Sequence, residues 1–283
     1  MRFSLPSVGA SVRSKLRAAI GKCDGLTGLT DALPPIPLTL DRQSLRVRYR
    51  CAIAQRLAAI AQRSPVDLAT DLATAWHQDA QVQGASLATI QVHRSGSLDL
   101  ELTDRAIAIW LNALSQLQIP SLAPSADPQA FAVYYALDRC RSLITAAEHE
   151  GWFDQHDLDQ SWLDDRGQLR LSLTAERQMI HHLVQTLDTI ADHPPTSTQT
   201  PHPKLADRLA AAFETLHRHS RPWHARQTQD TATAIARLGL FLSCAHTVQA
   251  TLWTPSQFVD AVDPWHWLHP PDARTNTPDQ NHS

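Results

Sequence analysis

The chain has 283 residues, 43% of them apolar, with nine glycines, four cysteines and a formal net charge of −3. Two ordinary domains can each bury a core at this length, whereas so little glycine argues against nucleotide-binding α/β folds, which need it in their phosphate turns. Cys23, Cys51, Cys140 and Cys244 have no ligand spacing and read as free thiols, no run approaches the about 18 apolar residues of a membrane span, and no signal-peptide core leads the chain; a soluble cytoplasmic protein without a membrane partner is expected.

Charge is unevenly placed. Residues 1–63 hold 11 Lys/Arg against three Asp, a net of +8, and the remainder carries −11. The basic front is either the footprint of a polyanion or a set of solvated helices.

Ser11 to Ile20 has Val12, Leu16, Ala19 and Ile20 on one helical face and Arg13, Lys15 and Arg17 on the other. Gly25 to Pro37 breaks structure, and Leu38 to Tyr49 alternates loosely as strand does. Arg46, Arg48 and Arg50 surround Tyr49, a combination suited to pairing phosphates and stacking on a base, or a strand edge whose arginines are merely solvated. Arg50 to Arg63 resumes helix with Ile53, Leu57 and Ile60 inward. Ser64 and Pro65 start another, whose buried face is Val66, Leu68, Leu72 and Trp76. From Thr89 the period becomes two, with Ser95 and Gly96 at a hairpin turn and Leu98, Leu100 and Leu102 beyond it. Thr103 and Asp104 then cap a helix through Ile107, Trp110 and Leu114.

Gln116 to Pro128 is proline-rich and short, an interdomain linker. Pro128 to Ala147 carries apolar residues at helical spacing, including Phe131, Tyr134, Tyr135, Leu137, Cys140 and Ile144, with Asp127 as its cap. Glu148 to Asp165 has seven acids and no Lys or Arg; it reads as an acidic loop tethered by Trp152, Phe153 and Trp162, with a cation site at Asp157 and Asp159 as the alternative, although the order of an EF-hand is missing. Leu171 to Glu176 begins the next helix, with Glu176 in its first turn, where the dipole favours it. After a loop with four prolines at 192–203, helices run over Lys204 to His219 and Ala232 to Leu252. The whole reads as mainly α: a small α+β N-terminal domain of helices on a short antiparallel sheet, then an all-α antiparallel bundle.

Specific segments carry a resemblance. Tyr135-Ala136-x-x-Arg139-x-x-Ser142 is similar to the first helix of the DALR anticodon-binding domain of arginyl-tRNA synthetases. The segments Leu171 to Ile180 with Glu176, Pro201-His202-Pro203-Lys204-Leu205 on to Phe213, and Ala236-Arg237-Leu238-Gly239-Leu240 follow in that domain's order. Upstream, Pro65-Val66-Asp67-Leu68-Ala69 and Gly96-Ser97-Leu98-Asp99-Leu100-Glu101-Leu102-Thr103 resemble the N-terminal tRNA-binding domain of the same family, where the second stretch is closer to G-F-I-N-F-x-L-S. Ser97 replaces its aromatic residue and Asp99 its asparagine, and a carboxylate cannot donate as an amide does. The usual L-L-G-x-x-x-P-x-x-M close is also altered, to Thr251 through Leu268 with four aromatics that either stack on bases or cap the bundle.

The resemblance covers roughly residues 10–252 and implies an N-terminal domain over 1–115, a linker at 116–127, a DALR-type bundle over 128–268 and a disordered tail at 269–283. The catalytic domain that separates these modules in the synthetases is replaced by the linker. No H-I-G-H-like or K-M-S-K-S-like signature occurs, nor a Walker loop, so aminoacylation, which needs ATP phosphates positioned and charge stabilised, is not expected. His181 and His182 are adjacent and cannot share a helical face, and no H-E-x-x-H is present; no catalytic residue, metal or cofactor is expected. The implied function is tRNA binding, with an arginine-accepting tRNA as partner. Arg46, Arg48, Tyr49, Arg50 and Asp99 are candidates in the first domain, and Tyr134, Arg139, Arg141, Trp223, Arg226 and Arg237 in the bundle. Tyr135 and Arg139 alternatively hold helices together. The rival partner is a protein, such as a synthetase that the chain regulates or completes in trans.

Overall fold

A computed structural model of the chain describes residues 5–23, 26, 33–82, 87–117, 131–193, 203–228 and 230–252. The fold is mainly helical, with one small antiparallel sheet. Helix α1 spans Val8–Ile20. It begins ahead of the expected Ser11 because the Ser7 hydroxyl accepts from Ala10 N at 3.0 Å and caps it there. Lys15 is also placed differently from expectation. It is buried, with its Nζ 4.5 Å from the centroid of a Trp76 ring.

Strands β1 (Leu38–Leu40), β2 (Arg48–Cys51), β3 (Ala88–Val92) and β4 (Leu98–Leu102) form a sheet of order β1-β2-β4-β3, every neighbour antiparallel. Helix α2 (Ile53–Ala61) ends at Gln62 in left-handed conformation, φ 51°. Helix α3 (Pro65–Val82) follows at once, with Val66 N donating to Ser64 Oγ. The β3–β4 turn requires its glycine: Gly96 has φ 78°, and a Cβ there would meet Pro65 Cβ at 2.6 Å. Helix α4 (Asp104–Ser115) is capped by Thr103, whose hydroxyl accepts from Ala106 N.

The bundle consists of α5 (Phe131–His149), a short α6 (Leu158–Ser161), α7 (Thr174–Asp192), α8 (Pro203–His219), α9 (Pro222–Gln227) and α10 (Thr231–Thr251). Helix α10 runs through its middle, packing on α4, α5, α6, α7, α8 and α9. That position explains its composition. It is long and apolar enough to cross a membrane, with an 18-residue window of mean hydropathy 1.2, but 67% of that window is buried inside the protein. Gly239 lets α6 approach, since a Cβ there would lie 2.6 Å from Trp162 Cη2. In the acidic stretch Phe153, Leu158 and Trp162 are buried, and the expected tether at Trp152 is half-buried.

The N-terminal region and the bundle meet along α7. Arg177, His181, Asp188 and Asp192 recur at helical spacing and form one polar stripe. Arg177 takes Asp104 through both terminal nitrogens at 2.9 and 3.3 Å, His181 Nε2 lies 2.8 Å from Asp41 O, and Arg13 pairs with Asp192 at 2.6 and 2.7 Å. Asp188 is buried and makes the most contacts of the four. Its Oδ1 accepts from the Ser7 hydroxyl at 2.9 Å and Gly9 N at 2.8 Å, and its Oδ2 accepts from the Tyr49 hydroxyl at 2.6 Å. The linker at 118–127, the proposed caps Asp127 and Pro128, the loop at 194–202, the aromatic segment after Leu252 and the tail lie outside the described residues.

Candidate nucleic-acid interface

Strand alternation decides which residues of Arg48-Tyr49-Arg50 face solvent. Tyr49 points into the core and is 2% exposed. Its ring is therefore unavailable for stacking on a base, contrary to expectation, and its hydroxyl is committed to Asp188. Arg48 and Arg50 point to the opposite face, where the register sets them across from Glu101 and Asp99. Arg46, just ahead of the strand, reaches the same carboxylate as Arg48: its Nη1 donates to Glu101 Oε1 at 2.7 Å, while Arg48 Nη2 donates to Oε2 at 2.6 Å. Arg50 Nε donates to Asp99 Oδ1 at 3.1 Å, and His93 Nε2 lies 3.0 Å from Asp99 Oδ2.

The acids lie low and the guanidinium groups stand over them. Side-chain exposure is 73% for Arg46 and 66% for Arg50, against 9% for Asp99 and 19% for Glu101. Burial pushes the Asp99 carboxyl up, but the contacts of Arg50 and His93 more than offset it, leaving its pKa below the ordinary value. Glu101 is treated alike by burial and then by Arg48 and Arg46. Both are acceptors already engaged. Asp99 thus holds Arg50 and His93 in place, as Glu101 holds Arg46 and Arg48. Three guanidinium groups over two carboxylates leave one positive charge in excess, with N–H donors free to turn outward toward phosphate oxygens.

The bundle candidates are scattered. Arg139 Nε donates to His217 Nε2 at 3.3 Å on the surface. Tyr134 is half-buried, with Asp138 one turn and the half-buried Arg141 two turns further along the same face of α5. Trp223 stacks edge-on with Trp152 at 5.3 Å, and both indole N–H groups donate to Glu150. Arg226 donates to Thr231 Oγ1 at 3.4 Å. Arg237 is placed otherwise than expected: its Nε donates at 2.7 Å to Glu176, which is fully buried and also accepts from Ser220 Oγ and Leu173 N. That arginine neutralises a core carboxylate and is 14% exposed, so it joins helices instead of meeting RNA.

Sequence reasoning missed one surface feature. Phe131 and Tyr135 stack on each other, 6.2 Å between centroids, and are 71% and 46% exposed. The buried stripe of α5 is Val133, Ala136, Leu137, Cys140, Ile144 and Ala147. Keeping strictly to that spacing separates the two rings from it, and thus signals an apolar pair on the wrong face. Tyr135 therefore does not hold helices together. Among the described residues, no three His, Cys, Asp or Glu side chains gather as a metal would need.

Fold and site together define a mainly α protein with a small antiparallel sheet and an arginine-rich outer face. No protein-family model, curated protein or solved structure matches the chain.

Proposed function

We propose that this chain is an arginyl-tRNA synthetase-like protein without a catalytic domain, which binds tRNA in the cytoplasm and does not aminoacylate it. One observation carries the RNA part: Arg46, Arg48 and Arg50 stand together on one exposed sheet face, fixed by carboxylates beneath them, where preorganised guanidinium groups meet a phosphate backbone without first being ordered. Arg139 and Arg141 on α5 supply further charge from the bundle. The family assignment rests on the sequence resemblance, and the lack of H-I-G-H-like and K-M-S-K-S-like segments supports the absence of ligase activity.

A binding titration with total tRNA and with an arginine-accepting transcript tests the reading. Affinity should fall with salt with a slope of about −2 to −3 in log K against log concentration, and the Arg46→Ala/Arg48→Ala/Arg50→Ala variant should lose most of it. Preference for the arginine acceptor supports anticodon reading. No binding at low salt removes the proposal. A second reading, a protein-interaction module that retains the fold without RNA, is favoured by one specific fact: every one of the three arginines already holds a carboxylate. Binding of a protein partner that survives the triple substitution would select it.

A further inference from the structure

A second surface differs from the arginine face in both shape and charge. Helices α5 and α8 leave between them an open groove of about 440 Å³. Its floor is apolar, made by Ala132, Ala210 and Ala211. Phe131 and Tyr135 form one wall, their planes 22° apart. Asp207 and Glu214, two turns apart on α8, complete the lining. Glu214 is held only loosely, with Arg218 at 3.9 Å. Beyond this lining, Arg139 donates to His217, whose pKa is lowered by burial and then by Arg139.

These surroundings select among occupants. A nucleic-acid strand stacking its bases on Phe131 and Tyr135 would bring phosphates beside Asp207 and Glu214, where like charges repel. A guanidinium group has the opposite fit: its plane lies on an aromatic face, its N–H groups pair a carboxylate, and its neighbour's aliphatic side chain covers the alanine floor. The spacing of the alanines and acids along α8 is that of a helix surface one side chain wide, suited to an amphipathic helix laid in the groove.

We infer that the α5–α8 groove is a docking site for an arginine-bearing amphipathic helix of a partner protein, which inserts an aliphatic side chain over Ala132, Ala210 and Ala211 and places arginine between the Phe131–Tyr135 wall and the carboxylates of Asp207 and Glu214. The inference stands independently of RNA binding at the sheet.

Fluorescence anisotropy with a labelled helical peptide of leucine, alanine and arginine, and with the same peptide carrying glutamate for arginine, tests it. The arginine peptide should bind saturably and the glutamate peptide should not. Tyr135→Ala and Asp207→Asn/Glu214→Gln should each weaken binding about fivefold. All three side chains are on the surface, so melting curves should match the parent's and exclude misfolding as the cause. The Arg46→Ala/Arg48→Ala/Arg50→Ala variant should bind the peptide normally, which separates this site from the sheet face. Absence of binding, or binding indifferent to Tyr135 and the two carboxylates, overturns the inference. So does a single-stranded oligonucleotide whose affinity falls with Tyr135→Ala and rises with Asp207→Asn/Glu214→Gln, for it would assign the groove to RNA.

Discussion

At Tyr49 a single side chain separates stability from binding. Its hydroxyl donates to a buried carboxylate, so Tyr49→Phe should cost about 1–2 kcal/mol in urea denaturation and leave tRNA affinity unchanged. Arg50→Ala should do the reverse. The partner, Asp188, also makes stability depend on pH. Burial raises its pKa, and the donors Tyr49, Gly9 and Ser7 with the charge of Arg13 offset this only in part. The folded state therefore binds this proton more tightly than the unfolded chain, and its contribution declines as pH rises from the ordinary carboxyl range through the raised value. Asp99, Glu101 and Asp104 have lowered pKa values and act with the opposite sign, their contribution being lost as pH falls below that range. Stability of Asp188→Ala, measured from pH 4 to 8, should be lower throughout but should decline less as pH rises; an unchanged slope would show that Asp188 does not titrate there.

At the scale of elements, periodicity and caps located almost every helix, because each is made by local rules: Ser64–Pro65, Thr103–Asp104 and the Gly96 turn all stand where their chemistry demands. Faces were less legible. Lys15 and Phe131 occupy positions opposite to their polarity, the lysine because Trp76 offers its ring inside and the phenylalanine because α8 leaves an open groove beside it. Helices α6 and α9 were overlooked altogether; four residues inside an acidic stretch and six between two long helices give no periodic signal. Likewise, the polar stripe of α7 is invisible until its partners, distant in sequence, are known. Two consequences belong here. Gly239→Ala should destabilise the protein by about 1–3 kcal/mol despite alanine's better helix propensity, since Trp162 cannot withdraw from the α6–α10 contact. A double-mutant cycle on Arg177 and Asp104 should return a coupling near 1 kcal/mol, as both are partly screened by solvent.

Over the whole molecule, buried apolar residues form one continuous set from Val8 to Val248, through the sheet and the bundle alike. Thermal unfolding followed by circular dichroism and by tryptophan fluorescence should therefore give coincident curves, and two separated transitions would show that the regions melt alone. The cysteines offer an independent check. None of the four is in a disulfide and all are buried, and burial raises the Cys51 thiol to about 11. Alkylation at pH 8 should follow the unfolding curve and be negligible before it.

Strand β2 holds Arg48 and Arg50 on one side and Tyr49 on the other, and Tyr49 is fastened to α7 near its C-terminal end. Whatever grips the two arginines also resists withdrawal of the tyrosine between them. A polyanion bound outside should thus slow amide hydrogen exchange in α7, on the far side of the sheet, in proportion to the free energy it adds to the native state. Severing the Tyr49–Asp188 link should reduce the protection of α7 amides that exchange through local opening and leave that of globally exchanging amides in place, so the tyrosine that no ligand can touch sets how far binding is felt in local motions.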